Sequence, residues 1–250
     1  MNSPRFYCRE ALSPGAHLEL PEPVARHAVR VLRLPPGAQI TLFDGRGGEY
    51  TAHIERIEKD RVMVSLGAWQ EIERESPLTV TLVQAVQAGE KMDFTIQKSV
   101  ELGVNDFVPV ESRRSVTRLT GDRAAKRVAH WQGVSASACE QCGRNQVPLV
   151  APLEKLEHWL ARPAPVKTLR LMLAPDATDT LVSLKPASRV QLLIGAEGGL
   201  DPQEVIAAKQ AGFQAVRLGP RVLRTETAGL AALAAMQVLW GDFRGENNHV

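Results

Sequence analysis

Along the first seventy residues, apolar positions alternate with polar ones. Tyr50, Ala52 and Ile54 interleave with Thr51, His53 and Glu55, and Val62, Val64 and Leu66 repeat the pattern. A period of two is that of a strand with one buried face. Ile40, Leu42 and Phe43 run into Asp44-Gly45, a turn signal. Between Pro23 and Leu34 the spacing becomes helical, with Val24, His27, Ala28, Val31 and Leu32 recurring on one side until Pro35-Pro36-Gly37 stops it. Several short strands with one helix predict a small β-barrel.

The stretch 70–77, QEIERESP, is polar and ends in proline, which predicts a linker. Beyond it the pattern changes. Uninterrupted apolar runs at 78–86, 107–110, 169–173, 190–194 and 215–218 alternate with helical stretches at 91–102, 123–142, 202–211 and 225–240. That alternation predicts an α/β fold, a mostly parallel sheet covered by helices. One helix start is well specified. Asp201 offers an N-cap, Pro202 a first helical residue and Glu204 the third-position acid, and Gly212 offers a stop.

A chain of 250 residues exceeds one typical domain, so two are expected: 1–72 for the barrel and 73–244 for the α/β part, with 245–250 as a tail. Hydrophobic residues at 44% and charged residues at 23% fit an ordinary globular chain. No apolar run approaches the roughly 18 residues that suggest a membrane span. The start, MNSPRFYCRE, lacks the charged-then-apolar order of a secretory signal, and three cysteines make no disulfide framework. A cytoplasmic protein is expected.

Net charge is +2, too small to imply a partner by itself. Its distribution says more. Residues 111–150 carry seven basic side chains against three acids, whereas 73–110 carry three against six. The basic stretch is arginine-rich, and guanidinium forks suit phosphate. A solvated face would look the same.

Two glycine-bearing loops follow predicted strands. The first is Ile194-Gly195-Ala196-Glu197-Gly198-Gly199-Leu200; the second is Leu218-Gly219-Pro220-Arg221-Val222-Leu223-Arg224-Thr225-Glu226-Thr227. Glycine at a strand end admits close approach of a ligand to backbone. Ligands of open α/β sheets bind at the carboxyl ends of strands, so the loops can form two walls of one pocket. Their spacing is neither a dinucleotide fingerprint nor a phosphate-binding Walker loop.

These two loops resemble those of the RsmE-type ribosomal RNA methyltransferases of the SPOUT superfamily. Their pattern is close to L-I-G-P-E-G-G followed by L-G-x-R-I-L-R-T-E-T-A. Gln97-Lys98-Ser99-Val100-Glu101-Leu102-Gly103-Val104, Glu140-Gln141-Cys142-Gly143-Arg144, His27 with Val31-Leu32-Arg33, and Phe43-Asp44-Gly45 are similar to the family's other signatures. The resemblance spans about 5–240, with Ala196 where proline is usual and Val222 where isoleucine is common.

The resemblance implies a SPOUT-type sheet with a C-terminal trefoil knot and a PUA-like N-terminal barrel that helps bind RNA. It implies a homodimer that uses S-adenosylmethionine to methylate N3 of one uridine in 16S rRNA of the small ribosomal subunit. The cofactor residues would be Leu173, Ile194, Gly195, Glu197, Gly198, Gly199, Leu218, Gly219, Val222, Leu223, Arg224, Thr225 and Thr227. Arg224, then Arg221, would be the cation that stabilises the uridine anion. Glu226 joins them as a candidate catalytic group, and no general base is identified. Each arginine could instead clamp phosphate or pair with Glu226. RNA contacts would fall to Arg5, Arg9, Arg30, Arg33, Arg113, Arg114 and Arg144. Phe6 and Tyr7 would offer one ring for stacking and bury the other. A non-catalytic assembly factor and a methyltransferase for another RNA are the competing readings.

Cys139-Glu140-Gln141-Cys142 is a C-x-x-C without a second pair, so no metal is expected. His130 and Trp131 are expected in the core or at an interface. His27 is ambiguous between an RNA contact and partial burial. The alanine- and leucine-rich 228–240 stretch predicts a closely packed helix, in a core or between subunits.

Overall fold

The computed structural model describes residues 3–59 and 61–245. It divides into two compact units. One comprises Met1–Glu75 with Cys139–Val147, and the other Ser76–Ala138 with Pro148–Val250. The tail expected over 245–250 lies, beyond Gly245, outside the described residues.

The first unit contains β1 (Arg5–Tyr7), β2 (His17–Glu19), a short helix α1 (Glu22–Arg26), β3 (Gln39–Phe43), β4 (Glu49–Glu58) and β5 (Arg61–Gln70). They form a five-stranded sheet in the order β1-β3-β4-β5-β2. β1 runs parallel to β3, and the other pairings are antiparallel. Ile40, Leu42, Ala52, Ile54, Val62 and Val64 are fully or almost fully buried, as their alternation predicts.

The helix differs from its predicted register. α1 ends at Arg26 and continues as a π-helical turn, His27–Val31. The wider turn rotates the inward face onto Ala25 and Ala28, and leaves Val31 66% and Leu32 41% exposed. The linker read at 70–77 contains the boundary between the two units, after Glu75, although its first part is held in the first unit. β5 runs through Gln70, and the following segment is pinned within this unit. The Asn145 amide donates to the Ile72 carbonyl at 2.6 Å, Gly48 N–H donates to Glu73 at 2.5 Å, and Arg144 holds Glu75.

The second unit contains β6 (Thr79–Ala85), α2 (Lys91–Glu101), β7 (Asp106–Glu111), α3 (Gly121–Cys142), β8 (Leu149–Val150), β9 (Glu154–Lys155), α4 (Leu156–Leu160), β10 (Leu169–Leu173), β11 (Arg189–Ile194), α5 (Pro202–Gln210), β12 (Gln214–Val216) and α6 (Thr225–Trp240). The last turn of α3 belongs to the first unit. The seven strands run β12-β10-β11-β6-β7-β8, with β9 also on β7, and every pairing is parallel. The central strands are mostly apolar, as in a sheet covered by helices, with Gln84, Arg170 and Gln191 as buried polar exceptions. Every residue of β11 after Arg189 is buried.

α5 starts where the sequence places it. The Asp201 side chain accepts from Gln203 N–H at 3.0 Å, and Glu204 accepts from Asp201 N–H at 2.9 Å. α6 packs against α2 and β11. Gly229 faces Ile194 across that contact, where a Cβ would sit at an ordinary van der Waals distance of 3.5 Å. No described helix is long and apolar enough to cross a membrane.

Candidate active site

The segments after β10, β11 and β12 enclose a cavity of about 980 Å³ at the carboxyl ends of their strands. This is where an open parallel sheet accepts ligands.

The first wall is the loop that leaves β11. A Cβ on Gly195 would stand 2.7 Å from the Gly199 carbonyl carbon and 2.8 Å from the Leu200 nitrogen. Only glycine lets this loop fold back on itself. Gly199 takes φ +71°, and its N–H returns to the Ala196 carbonyl at 2.8 Å. Arg114 closes the outer side by donating to the Gly198 carbonyl at 2.8 Å.

The second wall runs from Arg217 to Arg224. Arg217 N–H donates to the Asp179 carbonyl at 2.9 Å, and Gly219 turns the chain at φ +83°. At the far end, buried Thr225 opens α6. Its hydroxyl donates to the Gly195 carbonyl at 2.6 Å and accepts from the fully buried Gln84 amide at 3.1 Å. Both ends of the second wall are therefore fastened, one of them to the first wall.

The cavity brings together most of the residues expected there. Leu173, Ile194, Gly195, Glu197, Gly198, Gly199, Leu218, Gly219, Arg221, Val222, Leu223, Arg224 and Thr225 all line it. Two do not. Thr227 is exposed on α6, and Glu226 lies outside the lining. Glu226 faces Lys91, whose Nζ is 3.5 Å away and also lies 3.9 Å from Glu197. It is not the partner of either loop arginine. Among the described residues, the guanidinium groups of Arg221 and Arg224 make no hydrogen bond or ion pair. They remain available to a ligand.

Sequence reasoning missed the segment after β10, where Ala174, Pro175 and Asp176 line the cavity, and also Arg217 and Val205. The carboxyl-end rule applied to every strand, rather than only to those followed by glycine, points to all of these except Val205, which lies on α5.

The expected RNA contacts divide into three groups. Arg9, Arg30 and Arg33 are exposed. Arg5 and Arg144 are corrected to structural roles. Arg5 is ion-paired with Glu49 and donates to Asn145 Oδ1 at 2.6 Å. Arg144, 4% exposed, grips both oxygens of Glu75 at 2.9 and 2.5 Å. Neither offers a free guanidinium to phosphate. Arg113 and Arg114 fasten the loop after β7. Arg113 N–H donates to Glu204 at 2.7 Å, and its side chain bonds Gln203.

Phe6 is buried, and Tyr7 is half-buried with its ring 5.7 Å from Phe43. Burial raises the Tyr7 hydroxyl pKa. His27 is exposed and meets the Phe6 ring edge-on at 5.7 Å. Trp131 is buried and donates to Asp93 at 3.1 Å, and exposed His130 lies 2.7 Å from the same carboxylate. Cys139 is fully buried, with its thiol pushed up to about 12. Among the described residues no group of three or more His, Cys, Asp or Glu is placed to hold a metal.

Fold and site together define an RNA methyltransferase. Residues 74–237 match the model of an RNA methyltransferase domain, and residues 20–66 match that of an RNA methyltransferase PUA domain. The ribosomal RNA small subunit methyltransferase E of Buchnera aphidicola is 34% identical over 96% of this chain and 97% of its own length. That of Bacillus subtilis is 32% identical over 88% of this chain and 89% of its own. The crystal structure of a ribosomal RNA small subunit methyltransferase E from Neisseria gonorrhoeae, bound to S-adenosyl methionine, superposes with a TM-score of 0.90. It is 46% identical, over 97% of this chain and all of the other. The chain belongs to the ribosomal RNA small subunit methyltransferase E family.

Proposed function

We propose that this protein transfers a methyl group from S-adenosylmethionine to N3 of one uridine in the 16S rRNA of the small ribosomal subunit, as a cytoplasmic homodimer. The observation that carries this reading is the cavity built by the two glycine loops. Its inner walls are backbone and aliphatic side chains, which suit a purine. When bound, the cofactor supplies an electrophilic methyl group on a sulfonium.

The residues of the chain position and polarise. Gly195 and Gly199 shape a loop whose backbone reaches the ligand. Ile194, Leu173 and Leu218 exclude water. Uridine N3 must lose its proton before it attacks, and the resulting anion spreads onto O2 and O4. Arg224, unpaired at the cavity edge, stabilises that anion, with Arg221 beside it. Glu226, held by Lys91, is set aside as a catalytic group. The base is extruded from its stack before reaction, because N3 lies on the pairing edge. Arg9, Arg30 and Arg33 extend the RNA contact onto the PUA-like unit. The trefoil knot belongs to the same proposal.

Labelled S-adenosylmethionine incubated with the protein and with small subunits lacking the modification tests the reading. Label in 3-methyluridine is expected. Label in another nucleoside replaces the target, and RNA binding without label points to an assembly factor.

A further inference from the structure

We propose that Val222 is a substrate-contacting residue rather than a wall of the cofactor pocket. In this proposal it packs against the face of the extruded base, next to Arg224 at the anionic O2/O4 edge of that base and Arg221 beside it. The inference rests on the RNA-methyl-transfer reading.

Val222 is 81% exposed. A single exposed valine is ordinary. Its surroundings are not. It stands at the cavity between two arginines whose guanidinium groups have no partner among the described residues; the side chains of Arg217 and Asp176 in the same lining have none either, whereas Arg114, Glu197 and Glu226 are engaged. Arg114 is bonded to the Gly198 carbonyl, and Glu197 and Glu226 share Lys91.

The loop is also held at both ends, by Arg217 N–H on the Asp179 carbonyl and by the Thr225 hydroxyl on the Gly195 carbonyl. An apolar side chain displayed by a fastened loop between two unpaired cations matches the reacting nucleotide, which presents an apolar base face bordered by the anionic O2/O4 edge and by phosphate. Ile194, which is 2% exposed, belongs to the inner wall of the cavity, whereas Val222, 81% exposed, stands at its solvent side.

The test uses the full chain and separates three quantities: S-adenosylmethionine affinity by calorimetry, binding of small subunits with S-adenosylhomocysteine present, and single-turnover methyl transfer. Val222→Ala removes two methyl-sized groups from the contact. Half-saturating small-subunit concentration is expected to rise about tenfold, with cofactor affinity within about twofold of wild type. Val222→Leu should restore substrate affinity. Cofactor affinity that falls while substrate binding holds would return Val222 to the cofactor wall and overturn the proposal. No change in either affinity would overturn it too. Because binding is read apart from transfer, a wild-type protein that binds subunits without methylating them defeats the functional reading alone, and the Val222→Ala binding result still decides this one.

Discussion

Arg114 donates to the carbonyl oxygen of Gly198 at 2.8 Å. One guanidinium thereby fastens the arginine-rich loop after β7 to the glycine loop after β11. The basic segment that looked like an RNA-binding stretch is in part the outer wall of the ligand cavity.

Replacing Arg113 and Arg114 by glutamate is expected from the sequence to weaken RNA binding and spare the cofactor. The structure changes the second half of that expectation. Arg114→Ala removes a hydrogen bond from a charged donor, worth about 1.5 to 3 kcal/mol before discounting for its exposure. Calorimetry should show cofactor affinity lowered several-fold. An unchanged dissociation constant would show that this wall is dispensable.

Gly195 and Gly198 should respond differently to one added carbon. At Gly195 the new Cβ meets backbone at 2.7 and 2.8 Å, and backbone cannot move aside without remaking the loop. At Gly198 it meets only the Arg114 side chain, at 3.4 Å. Gly195→Ala is expected to lower cofactor affinity at least a hundredfold, and Gly198→Ala by only a few-fold. The cause at Gly195 is collision within the loop itself. Equilibrium binding of both variants measures the order, and equal losses would contradict it.

Arg144 and Glu75 form a buried pair, with 5% and 15% of their side chains exposed. Removing one partner strands the other charge. Arg144→Met should destabilise the protein by about 3 kcal/mol and leave cofactor affinity unchanged. Chemical denaturation read in parallel with calorimetry separates the two effects. A loss of cofactor affinity without a loss of stability would reverse the assignment.

Alkaline pH should loosen the first unit. Burial pushes the thiols of Cys8 and Cys139 up to about 12, with Glu140 adding to the effect at Cys8. Between the thiol's ordinary value of 9.0 and about 12, the folded chain keeps protons that the unfolded chain has released. Stability is therefore full below that window and falls as pH rises through it. Urea midpoints measured at pH 8 and pH 10.5 should differ more in wild type than in a Cys8→Ala, Cys139→Ala variant. At neutral pH a thiol reagent should label Cys142, which is only partly buried, ahead of the other two.

The sequence made legible whatever is local or periodic. Strand alternation predicted Ile40, Ala52 and Val64 as core, and the Asp201 cap placed α5 to the residue. The glycine loops marked the cavity because glycine at a strand end has a local steric cause. What stayed hidden depends on partners distant in the chain. Arg5 finds Glu49 and Asn145 across 44 and 140 positions, and Arg144 finds Glu75 across 69. No local pattern separates a guanidinium that will be buried from one that will meet phosphate. The π-helical turn escaped because helical spacing assumes a fixed number of residues per turn. Within the linker read at 70–77, the anchoring of Glu73 by Gly48 N–H and of Glu75 by Arg144 stayed hidden because these partners are likewise distant in the chain.

The first unit is not one continuous stretch. Its Glu75 is neutralised by Arg144, and its Glu49, already paired with Arg5, accepts a further hydrogen bond from Asn145; both Arg144 and Asn145 lie within Cys139–Val147. As the chain leaves the ribosome, the sheet strands therefore emerge well before the residues that complete their polar network. This unit cannot mature ahead of the other in the usual N-to-C order. A nascent chain halted after Ala138 would hold a sheet with Glu75 lacking its arginine and Glu49 lacking its amide donor, a state open to quality control until the next nine residues arrive.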